Sequence, residues 1–227
     1  MQYNGGKHYC AKEISSIINS YNPRSYWEPF VGAANIIDKV IADKRLGTDL
    51  DQDIIILLSS VRDGWVPPCA LTNQEYLMLK SGDKSPIRSF AKYGCSFGGK
   101  PWGGYARSED RRDRNYALNA KNSLLKQSPI LKGIVFNCCE YRSMLNPSDY
   151  DVIYCDPPYA NTTKVGIGTK FNTEEFFDWV RYNSQNSTIL VSEQKAPSDF
   201  DCIWEKKITG GLGNRKITER LFKYKGV

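Results

Sequence analysis

The sequence predicts an α/β fold built on an open, largely parallel sheet with a small inserted lobe. Segments typical of buried strands alternate with amphipathic helical segments in both the first and the last part of the chain. Between residues 65 and 130 this alternation is interrupted by glycine-rich, aromatic and basic segments. We therefore expect residues 1–64 and 131–227 to form one α/β unit, and residues 65–130 to form a helical lobe that carries a β-hairpin.

The first part of the chain predicts a helix, strand, helix, strand, helix order. Isoleucines at helical spacing in KEISSIINSY indicate the first helix, while SYWEPF and RLGTDL read as strands. We expect helices over NIIDKVIADK and over DQDIIILLSSVRDG, the latter ended by Gly64.

The last part of the chain continues the pattern and closes it with an antiparallel pair. NTEEFFDWVRYN predicts a helix because acids occupy its first turn. The strand candidates are GIVFNC, DVIYCD, STILVSEQ and the final pair FDCIWEKKIT and ERLFKYK. In such sheets, ligands bind outside the carboxyl ends of the strands.

The inserted segment has its own start and turn signals. Thr72 and Glu75 form a capping-box pattern ahead of one helix, and Ser108 with two following acids predicts the start of another. Between them, KYGCSFGGKPWGGYAR interleaves five glycines with aromatic side chains, which predicts an irregular hairpin.

The positive charge of the chain is concentrated in this insert. Residues 88–132 carry ten Lys or Arg and three acids, a net +7 that leaves −1 for the rest of a chain whose total is +6. Such a run is usually a solvated helix face, and charge alone favours that reading; the alternative is a surface that contacts phosphates.

Composition excludes several classes of protein. No segment approaches the apolar run of about 20 residues that a membrane span needs, so we expect a cytoplasmic protein without a membrane partner. One histidine and seven cysteines without zinc-like spacing predict reduced thiols and no metal site.

The stretch DVIYCDPPYANTT carries the strongest chemical signal. Asp156 follows a buried strand, and the stiff Pro157-Pro158 turn leaves backbone carbonyls beside it without local partners. With the flat ring of Tyr159, these acceptors suit a planar group that bears an NH₂, such as a nucleobase. A rigid surface turn in which Asp156 only caps the backbone is the alternative.

Three motifs in order resemble a known family. YNGGK at residues 3–7, EPFVGAAN at residues 28–35 and DPPY at residues 156–159 make the chain similar to the Dam-like DNA adenine-N6 methyltransferases, over nearly its whole length. The resemblance implies a Rossmann-like S-adenosylmethionine-dependent methyltransferase sheet, with double-stranded DNA as partner and a bacterial or phage-infected cell as location. It implies no obligatory protein partner.

The resemblance also implies a cofactor site. Phe30 and Gly32 would lie beside the methionine part of S-adenosylmethionine, although Ala34 replaces the last glycine of the family's F-x-G-x-G turn. Asp49 would bind the ribose hydroxyls, and we prefer it to Asp51, which we expect to cap the next helix. The implied cofactor residues are Tyr3, Lys7, Glu28, Phe30, Gly32, Asp49, Asn137, Cys138 and Asp156.

The implied catalytic residues are Asp156, Pro157, Pro158 and Tyr159. The Asp156 carboxylate and the Pro157 carbonyl would accept the amine hydrogens of a flipped adenine, on which Tyr159 would stack. The insert would bind DNA, with Arg107 or Lys92 as donors to guanine; its aromatic side chains could equally pack the lobe's own core. The expected DNA-binding residues are Lys92, Tyr93, Phe97, Lys100, Pro101, Trp102, Tyr105, Arg107, Arg112, Arg215 and Lys216.

Other functions stay open at this stage. Methyl transfer to an RNA adenine or to a DNA cytosine amine would use a similar motif, and a catalytically silent nucleic-acid-binding protein could retain the fold. Binding of S-adenosylmethionine would separate the silent protein from the enzymes.

Overall fold

The computed structural model describes residues 1, 3, 5–106, 115–144, 146–158, 171–210 and 215–226, apart from the side chains of residues 209, 210, 215 and 216. The predicted roles of Tyr159, Arg107 and Arg112, and the predicted helix start at Ser108, lie outside the described residues. Among the residues that are described, no helix combines the length and apolar character that crossing a bilayer requires.

Seven strands form one sheet in the order β3-β2-β1-β4-β5-β7-β6. The five parallel strands are β1 Ser25–Glu28, β2 Lys44–Asp49, β3 Ile134–Cys138, β4 Val152–Cys155 and β5 Thr188–Ser192. The last two, β6 Phe200–Gly210 and β7 Arg215–Tyr224, are antiparallel, and β7 lies between β5 and β6. The predicted open, largely parallel sheet is confirmed.

The strand order reverses between β1 and β4. From β1 the chain proceeds outward through β2 to β3, and from β4 it proceeds in the other direction through β5. A crevice forms at such a switch point, outside the carboxyl ends of the two central strands. Glu28 ends β1 and Asp156 directly follows β4, so both acids lie at this crevice.

Helices cover both faces of the sheet because its central strands are apolar on both sides. Tyr26 and Trp27 are consecutive in β1 and fully buried, and they belong to separate core clusters on opposite faces. The helices are α1 Ala11–Ser20, α2 Gln52–Arg62, α3 Asn73–Ser81, α4 Pro86–Gly94, α5 Tyr116–Leu131 and α6 Thr173–Asn183. The first cluster contains buried residues of α1, α2, α4 and α5, whereas α6 contributes to the second.

The segment NIIDKVIADK corrects one expectation. Instead of a helix it forms a single 3₁₀ turn, Ile37–Lys39, followed by extended chain into β2. Ile36, Ile37 and Val40 are all buried, which a short irregular crossover achieves without a helix. Two neighbouring β-branched residues also lower helix propensity.

In the insert, the predicted helices correspond to α3 and to α5, which begins at Tyr116 after the Asn115 cap, and α4 was not predicted. The capping box of Thr72 and Glu75 is confirmed at the start of α3. The missed helix is α4, which begins with the Ser85 side chain accepting from the Arg88 N–H and with Pro86 in the first turn. Its last residues are the Lys92-Tyr93-Gly94 that we expected in the hairpin.

The rest of the hairpin spans residues 95–106. The Ala106 N–H donates to the Cys95 carbonyl at 2.9 Å, and the Phe97 N–H donates to the Gly104 carbonyl at 2.9 Å. This loop therefore has two arms, and α4 carries the first of them. The division into a catalytic part and a lobe at residues 65–130 stays a prediction.

Candidate active site

Three acids come together at the carboxyl edge of the central strands. Glu28 ends β1, Asp49 ends β2, and Asp156 follows β4. The strands β2, β1 and β4 are neighbours and parallel, so their last residues lie along one edge. This edge is where the sequence predicted the site.

The side chain of Asp156 is held in an ion cluster with Lys7 and Glu219, which we call the strand-end cluster. The Lys7 ammonium lies 2.7 Å from Asp156 Oδ1 and 3.6 Å from Glu219 Oε2. All three side chains are at most 17% exposed. The cluster thus contains one cation for two carboxylates.

The pKa values in the cluster reflect this imbalance. Burial raises the pKa of Asp156, and the ammonium of Lys7 offsets only part of that effect. Burial lowers the pKa of Lys7, but the charges of Asp156 and Glu219 outweigh it, so the net pKa is raised. Lys7 is therefore a firmly protonated partner that opposes protonation of Asp156.

Glu28 is the most deeply buried acid at this edge. Its carboxylate accepts from the Tyr26 hydroxyl at 2.9 Å. Burial raises the pKa of Glu28 well above its ordinary range, and the charge of Asp156 raises it further. Both effects come from the same crowding of acids at the strand ends.

Asp49 organises the turn after β1. Its Oδ2 accepts from the Gly32 N–H at 3.0 Å and its Oδ1 accepts from the Asp51 N–H at 2.9 Å. Burial raises the pKa of Asp49 to about 6, although these backbone donors favour the ionised form. Asp51 caps α2 by accepting from the Asp53 N–H, which confirms the expectation for Asp51.

The turn itself adopts the backbone that the replaced glycine would favour. Gly32 has a φ of +46° and Ala34 has a φ of +57°. A Cβ at Gly32 would lie 3.0 Å from Cε1 of Tyr3, so the Tyr3 ring closes over the turn. Ala34 therefore keeps the shape of the F-x-G-x-G turn in a conformation that is strained for alanine.

The remaining predicted cofactor residues lie around this edge, farther from the three acids. Phe30 packs against the rings of Tyr141, Phe171 and Phe176 at 5.4 to 5.9 Å. Asn137 and Cys138 are exposed at the end of β3, in register with Thr48 and Asp49 of β2. After Asp156, Pro157 is buried and Pro158 is exposed.

Lys92 and Tyr93 correct the expected DNA surface, because both are buried. Together with Arg88, Lys92 pairs with Asp51 and Asp53 in a second ion cluster, which we call the lobe clamp. The Tyr93 hydroxyl donates to Asp51 Oδ2 at 2.5 Å. An ammonium held by two carboxylates inside the protein is not presented to a phosphate or a base.

The loop at residues 95–106 divides the remaining expected DNA contacts. Trp102 and Tyr105 pack on the buried ring of Tyr76, at centroid distances of 5.3 and 5.7 Å, as the lobe-core alternative predicted. Phe97 is 49% exposed. Lys100 is also exposed and Pro101 is partly buried, while Arg215 and Lys216 begin β7 with side chains outside the description.

Sequence reasoning did not identify Glu219 or the clamp. Glu219 is the one acid in the predicted strand ERLFKYK, and the sequence does not indicate that its side chain lies near the carboxyl edge of the central strands. Asp53 was hidden in DQD at a helix start, where acids are ordinary. The cations that pair with Glu219 and Asp53 lie far from these acids in the sequence.

A DNA adenine methylase of Haemophilus influenzae is 25% identical over 200 residues, which cover 78% of this chain and 68% of that protein. The resemblance to the Dam-like family is confirmed. No known protein-family profile matches the chain.

Two solved structures align with most of the chain at low identity and with TM-scores below 0.5. An rRNA methyltransferase, AviRa of Streptomyces viridochromogenes, is 11% identical with a TM-score of 0.46, covering 97% of this chain and 86% of that one. A candidate methylase of Haemophilus influenzae is 12% identical with a TM-score of 0.39, covering 94% and 87%. The strand order confirms the fold class that the sequence predicted, an α/β fold on an open Rossmann-like sheet. The similarity to the DNA adenine methylase supports a methyltransferase function.

Proposed function

We propose that this Dam-like chain is an S-adenosylmethionine-dependent DNA adenine-N6 methyltransferase that acts on a base extruded from duplex DNA. The observation that carries the proposal is the position of Asp156, a shielded carboxylate at the tip of β4 whose Oδ1 is held by Lys7 at 2.7 Å. Within the family's motif, that carboxylate is the acceptor for the amine of the target base.

The residues at the strand ends fit the proposed cofactor. Four acidic side chains, those of Glu28, Asp49, Asp156 and Glu219, are buried or partly buried around the turn and the ammonium of Lys7. A sulfonium cation suits such a group of buried acids because it favours their ionised form, and the Asp49 carboxylate suits ribose hydroxyls. When bound, S-adenosylmethionine supplies an activated methyl group on its sulfonium.

The protein's contribution is to position and polarise the amine. Asp156 and the Pro157 carbonyl accept the two amine hydrogens, which directs the nitrogen lone pair away from the ring. As the new C–N bond forms and the C–S bond breaks, positive charge develops on nitrogen, and the carboxylate stabilises it. The nitrogen then loses one proton to water, so Asp156 need not become a strong base.

Lys7 has a defined part in this scheme. Its ammonium occupies one oxygen of Asp156 and keeps the carboxylate in the acceptor form against the effect of burial. The shared contact with Glu219 prevents Lys7 from neutralising Asp156 alone. The carboxylate thus remains an acceptor in a setting where an isolated buried acid would become protonated.

The experiment measures product on defined nucleic acids. The purified chain is incubated with S-adenosylmethionine and an unmethylated plasmid, and modified bases are identified by mass spectrometry and mapped by single-molecule sequencing. We expect N6-methyladenine at one recurrent site. Formation of 4-methylcytosine, or methylation of RNA but not plasmid, would replace the proposal with the corresponding alternative.

The variant Asp156→Ala tests the role of the carboxylate. We expect it to abolish methyl transfer while leaving the dissociation constant for the cofactor within a few-fold of the parent value. Asp149→Ala, at an exposed acid shortly before β4, is the matched control and should behave like the parent. Undiminished activity of Asp156→Ala would refute the mechanism.

A further inference from the structure

The lobe clamp is a charge-balanced cluster between α2 of the sheet unit and α4 of the insert. The Lys92 ammonium lies 2.7 Å from Asp51 Oδ2 and 2.8 Å from Asp53 Oδ2, and the Arg88 guanidinium lies 2.5 Å from Asp53 Oδ1. All four side chains are at most 16% exposed. Two cations therefore meet two carboxylates in a shielded space.

One end of the clamp reaches the proposed cofactor site. The Asp51 N–H donates to Asp49 Oδ1 at 2.9 Å, and Asp49 Oδ2 in turn accepts from Gly32. Tyr93, next to Lys92 in α4, donates its hydroxyl to Asp51 and has its ring centroid 5.5 Å from that of Tyr3. The ammonium of Lys92 is thus two hydrogen-bonded residues away from the turn at Gly32.

The other end of the clamp reaches the exposed loop. The Trp102 N–H donates to the Lys92 carbonyl at 3.3 Å. The Arg88 guanidinium lies 5.3 Å from the centroid of the Trp102 ring, a cation–π distance. The same two residues of α4 that bind the aspartates therefore also hold residues 95–106.

We propose that Lys92 is a positioning residue that makes the order of the loop at residues 95–106 depend on occupancy of the cofactor site. The inference rests on the proposed function, because that function puts a cofactor against Asp49 and a DNA target against the loop. It replaces the direct DNA contact that the sequence suggested for Lys92.

The physical link is a shared set of ordered charges. A ligand that fixes Asp49 also fixes the Asp51 N–H that donates to it, and Asp51 is bonded to the Lys92 ammonium through both carboxylate oxygens. Because α4 carries both Lys92 and the start of the loop, restricting Asp51 restricts the loop. The coupling is reciprocal, so a ligand on the loop must tighten cofactor binding by the same factor.

The test uses hydrogen–deuterium exchange on the full chain with and without S-adenosylhomocysteine, the demethylated form of the proposed cofactor. In the parent protein we expect the ligand to slow amide exchange at the strand ends, over residues 28–35 and 47–53, and also over residues 86–106. A slowing of about tenfold in the second region corresponds to ordinary coupling between sites.

The decisive variant removes the link while keeping the charges balanced. Lys92→Met combined with Asp51→Asn leaves Arg88 paired with Asp53, and asparagine caps a helix as well as aspartate does. We expect the ligand to protect the strand ends in this variant but not residues 86–106. Lys80→Met, at an exposed lysine of α3, is the control and should retain both protections.

The outcomes separate this inference from the proposed function. Protection of residues 86–106 that is equal in the parent and the double variant would overturn the role of Lys92, as would its absence in the parent. If a saturating ligand protects no residue even at the strand ends of the parent, the proposed function itself is wrong.

Discussion

The strand-end cluster and the lobe clamp are two shielded groups of charges that share the neighbourhood of Asp49, and they are built differently. The strand-end cluster sets one ammonium against the two carboxylates of Asp156 and Glu219. The clamp sets two cations against two carboxylates. Burial raises the pKa of Asp156 beyond what Lys7 offsets, whereas in Asp53 hydrogen bonds from Lys92 and Arg88 outweigh burial and the pKa is lowered.

The difference in charge balance distinguishes a cluster suited to ligand binding from one that only holds two helices together. A buried carboxylate whose pKa stays raised, as that of Asp156 does, remains costly to ionise until a further cation arrives, which is common at binding sites. Carboxylates whose charge is fully matched gain nothing from a further ligand, which is a property of a structural contact.

The largest expected effect is on the clamp. Lys92→Met leaves two shielded aspartates with one cation, so we expect the free energy of unfolding to fall by about 3–5 kcal/mol. Urea denaturation measures the change. Adding Asp51→Asn to this variant should recover most of the loss, and a double variant as unstable as the single one would contradict charge balance as the cause.

Removing one acid from each cluster should have consequences of different size for stability. Asp53→Asn deprives Arg88 and Lys92 of a charged acceptor and should cost about 2–3 kcal/mol. Glu219→Gln removes a charge that raises the pKa of Asp156 and so relieves repulsion, and the free energy of unfolding should fall by less than in Asp53→Asn. Equal losses in the two variants, measured by urea denaturation, would show that the clusters are energetically alike.

The raised pKa of Asp49 should make both the stability of the free protein and cofactor binding depend on pH. The pKa of Asp49 is raised to about 6 in the free protein, so the folded state binds more protons than the unfolded state between the ordinary carboxyl pKa and that value. This acid therefore makes the free protein less stable as the pH rises through this window.

A cofactor that binds the ionised carboxylate should show the reverse trend. We expect its affinity to strengthen as the pH rises through about 6, by up to about tenfold per pH unit below that value, and to level off above it. Calorimetric titration over this range gives the profile. Asp49→Asn should bind more weakly at neutral pH and should lack this pH dependence; a variant with the parent profile would assign the effect to another group.

The smallest effect concerns strain in the turn near the strand ends. Ala34→Gly and Ala33→Gly each remove a buried methyl group, but only Ala34 has a positive φ. Relief of the left-handed conformation should make Ala34→Gly about 1–2 kcal/mol less destabilising than Ala33→Gly. Paired thermal unfolding measures the difference, and equal losses would mean that Ala34 is not strained.

The sheet and the position of the site at its carboxyl edge could be predicted because the sequence patterns that indicate them are local. The apolar residues of DVIYCD indicate a buried strand. A motif that directly follows this strand must lie at its carboxyl end. The prediction failed for residues 35–44 because the helical spacing of Ile36, Ile37 and Val40 is equally satisfied by a short buried crossover.

The clamp could not be predicted because its signals are distant from one another. Lys92 and Asp51 are 41 positions apart, and their pairing depends on how α4 packs against α2. In the sequence, Lys92 belongs to a basic, glycine-rich run in which a lysine ordinarily faces solvent. Glu219 was missed for the same kind of reason, because its partner Lys7 lies far from it in the sequence.

The contact of Lys7 with Glu219 also has a consequence for biosynthesis. It joins a residue that leaves the ribosome early to one in the final strand, and β7 must be inserted beside β5 before Glu219 can reach the ammonium. A nascent chain can fold its first helices and strands while Lys7 still lacks this partner. Assembly of the strand-end cluster is therefore a late event in the formation of the sheet.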